Sequence, residues 1–164
     1  MNSVLAFGRL LIAVLALPLS AQNLQIMSPA SAAAGRKDTL DIVLLSPAGK
    51  EPVALQWEFV IPVRSLMIDQ AGIQTGPVAA KAGKTIYCAG SWKHAPDLYR
   101  FKCLLAGGRD IIPNGAVAHV LFQVQNKPAG KKAQLSVEQG MAVLQDLKKA
   151  NMGKSEVAIA ITSQ

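Results

Sequence analysis

The chain has 164 residues, 17 of them lysine or arginine against 10 acids, for a formal charge of +7, with two histidines and two cysteines. That stock is too small for most catalytic or metal-binding constellations. There is no HExxH pair, Cys-x-x-Cys, GxSxG elbow, phosphate loop or calcium loop of alternating acids. Glu58, Asp69, Asp97 and Asp110 qualify for a glycosidic carboxylate pair only by being present. The basic residues are scattered, with doublets only at 36–37, 131–132 and 148–149. Without interleaved aromatics they make no nucleic-acid platform, and they read as a solvated surface that favours acidic partners.

Met1 to Arg9 carries one basic side chain, Leu10 to Leu19 is an apolar run, and Ser20 and Ala21 are small. This is the pattern of a secretory signal peptide over 1–21, too short to span a bilayer comfortably. Export from a bacterial cell, to the periplasm or beyond, is therefore expected. Cleavage after Ala21 leaves 143 residues, enough for one domain with its own core. Residues 22–37, containing "SPASAAAGRK", read as a flexible lead-in, and 38–164 as the folded domain.

From there the dominant hydrophobic period is two. "TLDIVLLS" (39–46) alternates Leu40, Ile42 and Leu44 against polar or smaller neighbours. "VALQWEFVIP" (53–62) places Val53, Leu55, Trp57, Phe59 and Ile61 on one face, with Glu58 on the wet side as a surface group. Further strands are expected at 65–69, 83–88, 98–107, 115–125, 131–139 and 155–162, separated by Gly, Pro and Asn turns. The segment 141–151 has either a short helical spacing or the form of a strand followed by a loop. Seven to nine strands at this spacing predict a single all-β sandwich.

Within it, Trp57 is a core residue. Cys88 and Cys103 lie on neighbouring strands in an oxidising compartment, which favours a disulfide over a zinc site with His94. Their Cα atoms are then expected within about 7 Å. Trp92, in "AGSWKHAPD" beside Lys93 and His94, either packs back onto the hairpin or stands exposed as a stacking surface, with Tyr87 and Tyr99 nearby.

Several segments in order resemble the cohesin domain, in its divergent form outside cellulosomes: "TLDIVLLS", "ALQWEFVIP", "GKTIYC", "YRFKCLLAG", "IPNGAVAHVLFQVQ", "AQLSVEQGMAVLQD" and "VAIAI". The resemblance covers roughly 38–162. It implies a nine-stranded jelly-roll sandwich related to cellulose-binding modules, with no active site, no metal and no cofactor, that binds a protein module through one sheet face. The cysteine pair and the basic charge depart from a scaffoldin module. On this resemblance the outward residues of the strand Val117–Gln125, namely Val117, His119, Leu121 and Gln123, are candidates for recognition of another exported protein. The alternative is polysaccharide binding through the aromatic residues of the 89–99 loop, Trp92 and Tyr99. Nucleic acid and stable membrane insertion are not expected as partners.

Overall fold

A computed structural model describes residues 22–92, 95 and 97–163. In chain order the strands are β1 (Asn23–Met27), β2 (Ser31–Ala33), β3 (Lys37–Leu45), β4 (Pro52–Pro62), β5 (Leu66–Met67) and β6 (Ile73–Thr75). They continue with β7 (Thr85–Trp92), β8 (Leu98–Ala106), β9 (Gly115–Val124), β10 (Lys132–Leu144), β11 (Lys149–Met152) and β12 (Ser155–Thr162). A 3₁₀ turn at Gln70–Gly72 separates β5 from β6, and a five-residue helix, α1 (Pro77–Lys81), follows β6.

The strands form two sheets. One runs β1-β3-β9-β5, with β6 also paired to β9. The other runs β2-β12-β10-β4-β8-β7, with β11 beside β10. All pairs are antiparallel except β2 with β12. The alternating strands turn their apolar sets into the space between the sheets, where Leu40, Ile42, Leu44, Leu55, Trp57, Phe59, Phe122 and Leu135 are buried. Each such side chain contributes about 1.5–3 kcal/mol by leaving water. The all-β jelly-roll sandwich expected from the sequence is the fold observed.

Three expectations need correction. Twelve strands are present among the described residues, not seven to nine. The surplus comes from β1, β2, β6 and β11, of three to five residues each. Residues 22–37 are not a loose lead-in. Leu24 and Ile26 enter the core from β1, and Ala32 is buried on β2 where it pairs with β12. Small side chains in this stretch mark an edge that must pack closely, not a segment that fails to pack.

Val117 is the third correction: it is buried, not outward. The register between β3 and β9 steps from Ile42↔Ala118 to Val43↔Ala116, so Val117 is the extra residue of a bulge. A bulge resets the alternation, and both Val117 and Ala118 face inward. Of the two readings of 141–151, strand and loop holds. β10 runs to Leu144, a turn with Leu147 at φ 64° follows, and β11 returns along it.

Candidate functional site

β9 lies between β3 and the pair β5–β6, so its outward side chains sit in cross-strand rows. Thr39 and Leu121 are partners, as are Lys37 and Gln123, and Gln123 is opposite Met67 on the other side. His119 is flanked by Asp41 and Gln74. The His119 ring nitrogen Nδ1 meets the Asp41 carboxylate, the histidine exposed and the acid half-buried. His119, Leu121 and Gln123 thus share the outer face of the first sheet, as the alternation predicted.

Two grooves meet on this side of the molecule. The first, about 630 Å³, lies over β9, with Lys37, Met67, Gly72, Gln74, Leu121 and Gln123 among its walls. The 3₁₀ turn bounds it closely, since a Cβ on Gly72 would stand 3.0 Å from the Leu121 carbonyl oxygen. The second, about 200 Å³, opens at the rim between the sheets, where Ile61, Leu66, Met67, Ile68, Trp92 and Tyr99 line it. Met67 and Ile68 belong to both walls, so β5 is a rib between the grooves.

The rib joins residues that the sequence treated as two separate groups. Trp92 and Tyr99 stand on one side of β5, with Leu121 and Gln123 on the other. Trp92 is 63% exposed, Met67 52% and Leu121 44%. His119 lies two residues farther along β9 and lines neither groove. Met67 was missed by sequence reasoning. Its strand is two residues long, too short for alternation to mark the outward position.

Trp92 both packs and stays exposed. Its ring meets the Tyr99 ring edge-on, with centroids 5.1 Å apart and planes at 87°, and Tyr99 in turn meets Phe101 at 5.2 Å. Tyr99 can lie over β7 because residue 90 is glycine: a Cβ there would be 2.3 Å from the Tyr99 hydroxyl. Tyr87 does not join them. It pairs with Leu104 across β7–β8, one position out of phase with Trp92↔Tyr99, and faces the outside of the second sheet. Lys93 and His94 lie outside the described residues.

Cys88 and Cys103 are direct cross-strand partners and form a disulfide with S–S 2.05 Å and Cα–Cα 4.1 Å, inside the expected separation. Glu58 differs from its expected place as a surface group. It is on the outward side of β4 but only 2% exposed. The Arg100 guanidinium reaches its Oε1 at 3.4 Å and the Lys102 ammonium lies 3.8 Å away, while its Oε2 is buried with no hydrogen-bond partner. Lys84 is also buried, donating to the carbonyls of Gly107 (2.6 Å) and Gly108 (3.4 Å). Burial pushes its ammonium below the usual lysine range, partly offset by Asp110.

Among the described residues no group of three His, Cys, Asp or Glu could hold a metal ion. Nor is any helix there long and apolar enough to cross a membrane. The surface instead offers apolar rings and side chains around a rib, with polar residues at the margin, an arrangement suited to binding.

No family model matches the sequence, and no curated protein matches it. Solved structures do. A cohesin module of a family 33 glycoside hydrolase from Clostridium perfringens superposes with a TM-score of 0.70 at 11% identity, over 88% of this chain and 98% of that one. The sixth cohesin of scaffoldin B from Acetivibrio cellulolyticus, solved in complex with a Cel5 dockerin, gives 0.65 at 14% identity, over 87% and 100%. A non-cellulosomal cohesin from the archaeon Archaeoglobus fulgidus gives 0.58 at 12%, over 88% and 94%. At such identities the likeness is one of fold, and the fold of this chain is that of the cohesin modules.

Proposed function

We propose that this protein is an exported, non-catalytic recognition module that grips another exported protein through the outer face of the β1-β3-β9-β5 sheet. The observation that carries the reading is the apolar strip Trp92–Met67–Leu121, continuous across the rib of β5. Exposed apolar groups joined by grooves and bordered by Lys37, Gln74 and Gln123 have the make-up of a protein-binding surface. The signal-peptide pattern at 1–21 supports export. Several solved cohesins of the same fold are complexes with dockerins, which supports a protein partner in preference to a small molecule.

The test is capture from the exported fraction of the source organism. The wild-type protein is expected to retain a specific protein that Met67→Asp and Leu121→Asp lose, with the β-sheet circular-dichroism spectrum unchanged. A central apolar anchor is worth about 2 kcal/mol or more, so each variant should weaken binding at least about thirtyfold. Retention of the same proteins by wild type and variants overturns the reading.

Polysaccharide binding is the second reading, favoured by the exposed indole of Trp92. The Trp92 and Tyr99 rings are perpendicular, so they make no flat row suited to a crystalline surface. If it holds, retention on insoluble polysaccharide disappears in Trp92→Ala and survives in Leu121→Asp.

A further inference from the structure

β7 is the edge strand of the larger sheet, paired only with β8, and its eight residues, TIYCAGSW, contain no charge and no proline. Its register with β8 is unbroken from Thr85↔Ala106 to Trp92↔Tyr99, so no bulge turns the edge away. Sheet edges are ordinarily protected by lysine, proline, bulges or shortness. One edge of the other sheet illustrates this: β5 has two residues and β6 three, interrupted by the 3₁₀ turn. β7 has none of these protections.

Two observations show which backbone groups face outward. The amide of Ile86 donates to the Thr75 hydroxyl on β6, away from β8. The Cys88–Cys103 Cα separation of 4.1 Å is that of a narrow, non-hydrogen-bonded antiparallel pair. With a period of two, the N–H and C=O groups of Cys88 and Gly90 also point away from β8. Among the described residues no strand takes them, and Gly90 is exposed. β6 and the 3₁₀ turn pack beside β7, with Thr75 covering its Thr85–Ile86 end; Cys88 is half-buried, and Ala89 to Trp92 are exposed.

The surroundings select the occupant. On the outer face, Ser91 and Ala89 pair with Arg100 and Lys102 of β8. The acid that answers those cations, Glu58, is one strand farther from the edge and buried. On the inner side, the strand ends at the Trp92–Tyr99 groove. We infer that β7 accepts an added strand from another polypeptide: an extended segment that alternates apolar residues toward Trp92 and Tyr99 with acidic residues toward Arg100 and Lys102. Main-chain hydrogen bonds to Cys88 and Gly90 supply the attachment, and the alternating side chains supply the choice of segment. This goes beyond the sheet-face reading, with which it shares Trp92, because it specifies a backbone-mediated mode on the edge of the other sheet.

The test uses fluorescein-labelled peptides alternating valine and glutamate, titrated by fluorescence anisotropy. The glutamate peptide should bind, and its lysine counterpart should bind at least about tenfold more weakly. Two N-methylated versions, each blocking one alternate set of amides, separate backbone pairing from charge attraction: one should lose binding and the other keep it. Ala89→Glu, at an exposed position, should weaken the glutamate peptide about tenfold while Ala89→Lys does not. Amide exchange at Cys88 and Gly90 should slow on binding. Leu121→Asp should leave all of this unchanged, so the result stands apart from that of the sheet-face reading. Absence of binding, equal binding of both charge types, or equal binding of both N-methylated versions overturns the inference. So does sedimentation of the protein alone as a dimer that Ala89→Glu dissociates, since a second copy would then be the occupant.

Discussion

Arg100 and Lys102 hold the Glu58 carboxylate from the solvent side, and the three residues are unequal in burial: Glu58 is enclosed while both cations retain contact with water. Removing a cation strands a buried charge, whereas neutralising the acid leaves cations that water can solvate. Arg100→Met is therefore expected to cost about 2–3 kcal/mol, and Glu58→Gln about 1 kcal/mol or less, by urea denaturation. Equal losses would contradict the account. Lys84 poses a related test. Its folded-state pKa lies below the ordinary 10.5, so the unfolded chain binds more protons as pH rises from the folded value toward 10.5. Wild-type stability should climb over that window relative to Lys84→Met, which lacks the titrating group. Below the window the variant instead registers the loss of the bonds to Gly107 and Gly108, about 1–2 kcal/mol.

At the scale of elements, β7 has a single partner strand, and the Cys88–Cys103 disulfide fastens it there. The closed loop of 15 residues corresponds to about 3 kcal/mol in the chain-entropy account. Cys88→Ala with Cys103→Ala should lose about 2–3 kcal/mol, keep the sheet spectrum, and show faster amide exchange in β7 than in β4. Gly76 is a second element-scale determinant. Its amide bonds the Val117 carbonyl at 2.9 Å, and a Cβ would stand 2.3 Å from the Ala116 oxygen. Gly76→Ala should push α1 off β9 and cost about 2–3 kcal/mol by thermal denaturation.

These elements also mark what could be read in advance. Long strands with an apolar set every second residue, such as the one holding Trp57 and Phe59, announce both their existence and their inward face. The cysteine pairing followed from the two strands that carry it. β2 escaped notice because three small residues carry too little alternation to outweigh composition, and β1, although Leu24 and Ile26 alternate, because it is five residues long and runs straight into that small-residue stretch. Val117 was misplaced because a bulge depends on β3, not on β9 alone. The outward row His119, Leu121 and Gln123 was legible because it lies beyond that bulge. The rib at Met67 was not, since it exists only where a chain segment distant in sequence crosses beside β9.

For the whole molecule, the surface proposed to meet another protein is the face around Met67 and Leu121 of a cohesin-type sandwich. Both sheets have an outer face, and the second carries its own exposed pair, Tyr87 and Leu104. The two faces can be separated by a photocrosslinking side chain placed at position 121 or at position 104, each exposed, in the protein incubated with the exported fraction of its source organism. The account predicts a discrete protein adduct from position 121 and none from position 104. An adduct from position 104 alone, or from neither, would contradict it.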